Sequence, residues 1–441
     1  MKCRKIVGCT LIVALLFLCG CSQQGSQYSE ASTIPSTKSG TKSPYESSEW
    51  NTAIYHSDAT ILTMAAWAPT PNLQMIIDEY NETHTDFQIQ LKIYYEPQNS
   101  DSEVYRAIDR MTVDFTTGNA PDLFSLNSMD IMSLENAGLL MDLNQLIDQD
   151  VGFNRAEYLE NIWSLYEQDG CLYELVPTFC ISGILAPASA VSGRVGWTYD
   201  EWLSLNQNHL IDQDQDGLCG NMILYSAGEF VNLSNATCSF DNAQFLKWLE
   251  VVKSAPKRKS YENTTYEAAL FVSGIGDYAS SLHSKGTDIS YCGFPSSSAH
   301  GPSVIANNSY GISTTTEYPE ACWEFLKYFL DDSVYERLET DGFPVKKTVL
   351  EQQLAAAQLP IDDENSLFRD WMPDEIAPLS EENVDYLRGM LENIDNCAFR
   401  YNAIYNIITE EIPAYLSGDK DAENVAKLIQ NRAQIYLSEQ S

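Results

Sequence analysis

The chain has 441 residues, with 26 Lys and Arg against 62 Asp and Glu, and a formal net charge of −36. A field of that sign disfavours nucleic acids and anionic lipid head groups as partners. Seven of its 11 cysteines follow Cys21, and they contain no C-x-x-C pair, so they fit neither a disulfide framework nor a zinc site. One disulfide between Cys171 and Cys180 stays open. The length exceeds what one hydrophobic core usually holds, so we expect two lobes.

The N-terminus has the pattern of an export signal. A basic start precedes an apolar run at 6–17, which is too short to span a bilayer. The following Leu-Cys-Gly-Cys resembles the lipobox of bacterial lipoproteins, which implies cleavage before Cys21 and lipidation of its thiol. A plain secretory signal that ends in Cys is the alternative. We therefore expect a signal peptide at 1–20 and a flexible tether at 21–57, where Ser, Thr, Gln and Gly predominate.

Residues 58–95 have the pattern of a β-α-β unit. Residues 59–67 form a nearly continuous apolar strand, a helix begins near Pro71, and 87–95 alternate as a strand does. Strands that alternate with helices favour a mostly parallel sheet. Trp67 falls at the carboxyl end of the first strand. It is either a flat apolar plate for a sugar ring or a core residue.

The stretch GNAPDLFSLNSMDIMSLENAGLLMDL reads as a turn, a buried strand, a short loop and a helix. In open α/β sheets, ligands bind outside the carboxyl ends of the strands. That rule places Ser125, Asn127 and the adjacent Ser128 at a candidate ligand site. An ordinary connection between a strand and a helix is the alternative.

Short motifs occur along the whole chain beyond the tether. In chain order they are GNAPDLFSLN at 118–127, AGLLMDL at 137–143, GCLYELVP at 170–177, GWTYDEW at 196–202, YGIS at 310–313, EACWEFL at 320–326, GFPV at 342–345 and AKLIQ at 426–430. Each motif alone is weak, but their order and spacing over about 380 residues are specific. Together they resemble family 1 extracellular solute-binding proteins, the lipoprotein or periplasmic receptors of carbohydrate ABC importers.

The resemblance implies an α/β, type II periplasmic-binding-protein fold. In that fold two α/β lobes are joined by interlobe crossovers, a ligand binds in the cleft between them, and the lobes close by hinge motion. We place lobe one at 58–165 and 288–330, and lobe two at 166–287 and 331–441. The implied protein is a monomer that requires no cofactor. It is anchored by lipid to the outer face of the bacterial membrane and delivers a sugar or oligosaccharide to ABC permease subunits.

The resemblance also suggests ligand-binding residues in the later part of the chain. An aromatic residue at the position of Tyr278 lines the sugar cleft in many members, so Tyr278 is a candidate for stacking and Asp277 for hydrogen bonds to hydroxyls. Thr178 and Phe343 lie in or beside matching motifs and are further candidates. Trp371, in a Pro-flanked irregular run, is either another stacking residue or a packing residue.

An acidic run in the middle of the chain matches the first half of a calcium loop. Asp212, Asp214 and Asp216 supply hard oxygen ligands at alternate positions, and Gly217 permits the sharp turn. The twelfth position is Ile223, where a complete helix-loop-helix site would have Glu. The segment is therefore a candidate for a structural Ca²⁺ or a solvated acidic turn.

Catalytic motifs are absent from the sequence, since it contains neither H-E-x-x-H nor G-x-S-x-G. Carboxylates are so abundant that counting them does not rule out a glycosidase pair. Three functions remain open: a sugar receptor, a receptor of the same fold for another solute such as a polyamine, and a surface enzyme acting on glycans. An enzyme would release a product, whereas a receptor would bind its ligand without turnover. A polyamine site needs several convergent carboxylates beside aromatic rings.

Overall fold

A computed structural model describes most of the chain beyond residue 57. The described residues are 58–68, 71–95, 101–117, 119–127, 129, 131–205, 211–257, 266–286, 288–335, 342–360 and 376–440. The predictions made for the signal peptide, for the lipidated Cys21, for the tether, for Ser128 and for Trp371 fall outside these residues. Within them, no helix has both the length and the apolar character needed to cross a bilayer.

The first part of the fold alternates strands and helices, as the sequence predicts. The elements are β1 (Thr60–Ala66), α1 (Pro71–Thr83), β2 (Phe87–Ile93), α2 (Asp101–Thr116), β3 (Leu123–Ser125), α3 (Ile131–Asn136) and α4 (Asn144–Gln149). Strand β1 pairs in parallel with both β2 and β3, so their carboxyl ends share one edge of the sheet. The predicted parallel pairing is confirmed for these three strands.

Strand β2 is the edge of this sheet, and α1 supplies partners for its backbone. The Asn81 side chain donates to the Ile89 carbonyl at 2.8 Å and accepts from the Ile89 amide at 2.7 Å. The Gln88 amide group donates to the Asn81 carbonyl at 2.8 Å. These bonds satisfy buried polar groups that an edge strand would otherwise leave unpaired.

The middle of the chain contains one long strand among short elements. In order they are a 3-10 turn (Arg155–Glu157), α5 (Glu160–Ser164), β4 (Glu167–Gln168), β5 (Cys171–Leu172), β6 (Leu175–Pro187), α6 (Ala188–Val191), α7 (Tyr199–Ser204), α8 (Gln215–Ser226), a 3-10 turn (Ala227–Phe230), β7 (Val231–Asn232), β8 (Thr237–Cys238) and α9 (Ala243–Ser254). Helix α7 begins with a capping box, in which Thr198 and Glu201 each bond the other's backbone amide.

The last part of the chain contains most of the long helices. The elements are β9 (Glu267–Val272), α10 (Ile275–Lys285), β10 (Ile289–Cys292), β11 (Ser303–Ile312), α11 (Pro319–Tyr328), α12 (Asp332–Tyr335), β12 (Phe343–Pro344), α13 (Lys347–Ala356), α14 (Glu381–Glu392), β13 (Asn396–Cys397), α15 (Asn402–Ser417) and α16 (Ala422–Gln440). Helix α15 ends at Gly418, whose φ of +89° is the left-handed conformation that favours glycine.

One mixed sheet runs through the described part of the chain. Its order is β10-β6-β11-β3-β1-β2, with β9 and β12 also paired to β6 and β13 paired to β11. Residues 175–182 of β6 pair with β11, whose last residues also pair with β3, and residues 181–187 of β6 pair with β9 and β10. Strands β6 and β11 therefore connect β1, β2 and β3 on one side of the sheet with β9 and β10 on the other.

Two large hydrophobic cores flank this sheet. The first core contains side chains of β1, α1, α11, α13 and α14, and the second contains side chains of α7, α8, α9, α15 and α16. A smaller third core packs α2 and α3 against the opposite face of β3. Strand β6, strand β11 and the segment 394–399 contribute side chains to both large cores.

The lobe boundaries stay a prediction, and each large core joins side chains from both predicted lobes. Phe343 and Leu387, which the boundaries assign to lobe two, are fully buried in the first core with the side chains of β1. The reason is that β12 pairs with the first half of β6, at Phe179. Cys180 is not part of a disulfide, so the bond that the sequence left open between Cys171 and Cys180 is not formed.

Candidate functional site

Trp67 and Ser125 lie at the carboxyl ends of adjacent parallel strands, as the sequence places them. Trp67 directly follows β1 and is half-buried, and its ring stacks on Tyr95 with the centroids 5.4 Å apart and the planes at 22°. Ser125 is buried at the end of β3, opposite Tyr310 of β11. Trp67 thus retains an exposed part at the edge of the sheet, whereas Ser125 is enclosed.

Asn127 uses its side-chain amide to hold β3 against the irregular middle of β11. Its Nδ2 donates to the Asn307 carbonyl and to Asn308 Oδ1, both at 3.0 Å, and its Oδ1 accepts from the Ser309 amide at 3.0 Å. The pairing of β11 with β6 shifts register at this point. Both donors of the Asn127 amide are therefore engaged within the protein.

Thr178 and Phe343 meet on neighbouring strands but are enclosed. Strand β12 pairs with β6 so that Pro344 lies opposite Thr178. Phe343 is fully buried, with its ring centroid 5.8 Å from that of Phe179. The Thr178 hydroxyl is buried and has no hydrogen-bond partner among the described residues.

Asp277 and Tyr278 occupy the first turn of α10, where both make structural contacts. The Asp277 carboxylate accepts hydrogen bonds from the Ser273 hydroxyl and, at 2.9 Å, from the Ser273 amide. Tyr278 is almost fully buried, and its hydroxyl donates to the Asn383 carbonyl at 3.2 Å. Burial raises the pKa of Tyr278. The ring is enclosed in this structure, and its predicted stacking role stays a prediction.

The acidic run proposed for calcium begins helix α8. Asp214 is the N-cap residue, and its carboxylate accepts from the Gly217 amide at 2.9 Å. The Asp212 carboxylate accepts from the Ala268 amide at 2.8 Å, while Asp216 is exposed in the first helical turn. In the described ranges, no group of three or more His, Cys, Asp or Glu residues is placed to hold a metal. Calcium binding by this segment stays a prediction.

A cavity of about 470 Å³ lies between the two large cores. It is lined by the segments 165–169, 224–234 and 395–401 together with Glu135, Ser296 and His300, although some positions within the segments do not reach it. Tyr166 on one wall belongs to the first core, and Tyr225 and Phe399 belong to the second. The predicted ligand-binding residues that the structure describes do not line this cavity.

The cavity wall contains an Arg-Glu ion pair. The Arg400 guanidinium donates to the carboxylate of Glu174, which is 1% exposed, and lies 4.6 Å over the ring of Tyr166. Burial disfavours the charged guanidinium, but the adjacent carboxylate outweighs this effect and raises the pKa of Arg400. Among the described residues, only one of its five N–H groups donates to an acceptor, so Arg400 keeps donors for a ligand.

Aromatic rings form another part of the wall. Tyr225 stacks on Phe294, with centroids 5.2 Å apart and an interplanar angle of 19°. Phe399 meets Tyr401 edge to face at 5.0 Å and 74°. Tyr401 remains half-buried, so its ring combines a fixed position with an exposed part. An aromatic surface of this kind suits the C–H face of a sugar ring.

Carboxylates also line the cavity, and two of them hold its loops in place. Glu229 accepts from the Tyr199 hydroxyl and from the amide and hydroxyl of Ser297. Asp395 contacts His300 Nδ1 at 2.9 Å, which attaches the loop after β10 to the segment before β13. The carboxylates thus serve as acceptors for groups from several elements.

A direct hydrogen bond joins two turns beside the cavity. The Ser234 hydroxyl in the β7–β8 turn donates to the Asp169 carboxylate in the β4–β5 turn. Asp169 has a φ of +53°, a left-handed conformation that Asp tolerates better than most residues. This bond connects two turns that both line the cavity.

Sequence reasoning missed this wall, although one signal was present. Phe399, Arg400 and Tyr401 place a cation between two aromatic rings, outside the apolar periodicity of α14 and α15. Such a run in a connecting segment indicates a function other than packing. The other lining segments, at 165–169 and 228–234, carry no comparable signal in their composition.

Comparison with known sequences identifies the family. A sequence model described as bacterial extracellular solute-binding protein matches residues 66–336. The chain belongs to this family. The family consists of solute-binding proteins rather than enzymes, and the resemblance drawn from the short motifs is confirmed. A search of curated protein sequences found no match.

Solved structures of solute-binding proteins share the fold. The sugar-binding protein MalE from Xanthomonas citri aligns with a TM-score of 0.58 at 12% identity, over 86% of this chain and 98% of that one. An oligogalacturonide-binding protein from Yersinia enterocolitica gives 0.57 at 15% identity, over 86% and 100%. An ABC substrate-binding protein from Listeria monocytogenes, solved with cycloalternan, gives 0.53 at 14% identity, over 86% and 100%. The chain therefore has the two-lobed fold of periplasmic solute-binding proteins.

Proposed function

We propose that this solute-binding protein captures a sugar or oligosaccharide in the cavity between its two cores and delivers it to an ABC importer. The observation that carries the proposal is the cavity itself. Its wall combines an exposed part of Tyr401, free donors of Arg400 and carboxylate acceptors. A sugar needs an apolar plate for its ring and donors and acceptors for its hydroxyls. The three structural relatives are described as binding a sugar, an oligogalacturonide and cycloalternan.

The connections between the cores suit a receptor that closes on its ligand. Strands β6 and β11 and the segment 394–399 run from one core to the other beside the cavity. A ligand that contacts both walls would favour the arrangement in which the walls are close, because it gains contacts only there. The bond between Ser234 and Asp169 would form part of the closed arrangement.

The test is binding without turnover. Purified protein is screened by thermal denaturation against mono- and oligosaccharides, and each sugar that raises the Tm is titrated by calorimetry. A ligand at about 100 times its Kd should stabilise the native state by about 2.7 kcal/mol. Chromatography of the recovered sugar should show it unchanged. Hydrolysis of the sugar, or no response to any sugar, would overturn the proposal.

We further propose that the mature protein is anchored by lipid on Cys21 to the outer face of the bacterial membrane, as a monomer. The basic start, the apolar run and the Leu-Cys-Gly-Cys sequence support this location. Wild-type protein should label with a fatty-acid analogue and sediment with membranes. Cys21→Ala should abolish the label. A wild-type protein recovered without lipid would contradict the anchor.

A second candidate ligand is a cationic solute such as a polyamine. Five carboxylates line the cavity: Glu135, Glu167, Asp169, Glu229 and Asp395. Convergent carboxylates beside aromatic rings would attract an extended cation. Spermidine therefore belongs in the same thermal screen. Stabilisation by spermidine and by no sugar would favour this candidate over the sugar receptor.

A further inference from the structure

Acidic side chains outnumber basic ones around the cavity. Its lining includes the five carboxylates named above, and its only basic side chains among the described residues are Arg400 and His300. Both basic groups already face a carboxylate within the protein. The net charge that a ligand meets in the cavity therefore depends on how far those carboxylates neutralise the two basic groups.

Arg400 offers donors without a net positive charge. Its partner Glu174 is almost completely buried, and one oxygen of that carboxylate has no hydrogen-bond partner among the described residues. A buried carboxylate held by a single guanidinium depends on that charge, because losing it would leave an uncompensated anion. Arg400 can therefore direct its remaining N–H groups at hydroxyls, but its charge is already balanced by Glu174.

His300 is committed in a similar way. Its Nδ1 faces Asp395 at 2.9 Å, and its backbone amide donates to the Ser296 hydroxyl at 3.0 Å. Glu167, another lining carboxylate, pairs with Arg155, which lies outside the lining, at 2.6 Å. Asp169 and Glu229 accept hydrogen bonds from neutral donors only, as far as the described residues show. Their charges therefore remain uncompensated at the cavity.

We propose that this cavity selects sugars by charge: it binds neutral or amino-substituted sugars and excludes uronates and sugar phosphates. The proposal rests on the proposed sugar-binding function and specifies its substrate class. An anionic sugar would approach the exposed, uncompensated Asp169 and Glu229 without gaining a free cation. At contact distance, which is shorter than the Debye length, dissolved salt screens this repulsion only in part. A hydroxyl, in contrast, can donate to either carboxylate and accept from Arg400.

The fold itself does not fix this preference. The Yersinia enterocolitica relative is described as an oligogalacturonide-binding protein, which handles an acidic sugar on a similar fold. Selection by charge must therefore come from the side chains of each cavity. In this chain those side chains are carboxylates, together with two basic groups that are already paired with carboxylates of the protein.

The experiment compares sugars that differ only in charge. Maltotriose, cellotriose and β-1,4-galactotriose are screened by thermal shift with the full mature chain. Each sugar that binds is then titrated by calorimetry beside an analogue with one C6 carboxylate and an analogue with one C6 amine. We expect the carboxylate analogue to bind at least about tenfold more weakly than the neutral sugar. The amine analogue should bind as tightly or more tightly.

A charge-removal variant tests whether the named carboxylates cause the difference. Asp169→Asn with Glu229→Gln keeps hydrogen-bond acceptors at both positions and removes two negative charges. The ratio of the Kd of the carboxylate analogue to the Kd of the neutral sugar, which is the affinity gap, should fall by about threefold or more. The matched control is Glu423→Gln with Glu439→Gln, which removes two charges from α16, away from the cavity lining. The control should leave the gap unchanged.

The outcomes distinguish selection by charge from the proposed sugar-binding function. Equal or tighter binding of a carboxylate analogue overturns the charge selection and leaves the sugar receptor intact. A gap that narrows equally in the control assigns the effect to the overall charge of the protein and also overturns the inference. If none of the sugars binds, the proposed sugar-binding function fails for this panel and the inference fails with it.

Discussion

The sheet of β1, β2 and β3 and the wall of the cavity are built in opposite ways. In the sheet, neighbouring strands pair in regular parallel register, and the helices between them cover its faces. The cavity wall is made of turns and short segments that come from distant parts of the chain, such as Glu135, Asp169 and Arg400. It is held by side-chain bonds and ion pairs. Packing thus gives the sheet its stability, whereas pairwise polar contacts position the groups at the cavity.

The first prediction concerns packing and has the largest expected effect. Trp163 is fully buried, stacks on Tyr158 at 4.8 Å and donates from Nε1 to the Val176 carbonyl at 3.0 Å. Trp163→Ala should lower the free energy of unfolding by about 3–5 kcal/mol, because it opens a void in the first core. Urea denaturation measures the loss. A loss below about 1 kcal/mol would contradict the tight packing of the first core around Trp163.

The second prediction concerns the ion pair at the cavity. Arg400→Met leaves the buried Glu174 carboxylate without its cation, and we expect a loss of about 2–4 kcal/mol in the free energy of unfolding. Adding Glu174→Gln to Arg400→Met should recover much of that loss, since it removes the uncompensated charge. Urea denaturation of both variants and of Glu174→Gln alone completes the cycle. Additive losses would show that the two residues do not interact.

The third prediction concerns the loop that carries Ser296 and His300. A Cβ added at Gly293 would lie 2.2 Å from the carbonyl oxygens of both His300 and Gly301. Gly293→Ala should therefore cost about 1–3 kcal/mol and displace the loop. The control is Gly389→Ala in α14, where the added methyl meets nothing within 4 Å. It should stabilise the protein by about 0.5–1 kcal/mol, as Ala does within a helix.

The fourth prediction concerns acid stability in the first core region. Hydrogen bonding from Lys327 and, less strongly, from Trp323 holds the pKa of Asp150 below its usual value. A lowered pKa in the folded state contributes stability that is present above the unfolded value, near ~3.9, and is lost as the pH falls through the folded value. Asp150→Asn should therefore flatten the decline in stability below about pH 4.

The measurement for that prediction is the urea midpoint across acidic pH for wild type, Asp150→Asn and Asp148→Asn. Asp148 is an exposed carboxylate in α4, which Asp150 caps, so its replacement should leave the wild-type decline in place. A decline of equal steepness in Asp150→Asn would contradict the assigned role of this carboxylate.

The regular region could be predicted from the sequence because its signals are local. The apolar run of β1, the alternation in β2 and the motifs of the family each lie within a few residues of one another. The same local patterns placed Trp67 and Ser125 at the carboxyl ends of parallel strands, and the structure shows both residues there. Apolar periodicity in a sequence indicates which face of a strand or helix is buried, and burial determines the structure of this region.

The cavity could not be predicted in the same way. The partners of Arg400 and Asp395 are Glu174 and His300, which are far away in sequence. No local pattern specifies such pairs. The pairing of β12 with β6, which brings 343–344 to the first core, likewise joins positions far apart in sequence. The ligand-binding roles predicted for Trp67, Ser125, Asn127 and Tyr278 remain predictions.

Comparing two variants by calorimetry tests the central claim, that the ligand binds in the cavity between the cores, most directly. The sugar with the highest affinity is titrated into wild type, Tyr401→Ala on the cavity wall and Trp67→Ala at the sheet edge. If the ring of Tyr401 packs against the sugar, its loss removes apolar contact worth about 1–3 kcal/mol. Tyr401→Ala should then weaken binding by roughly ten- to hundredfold. Unchanged affinity in Tyr401→Ala, with a loss of that size in Trp67→Ala, would place the ligand at the strand ends and contradict the account.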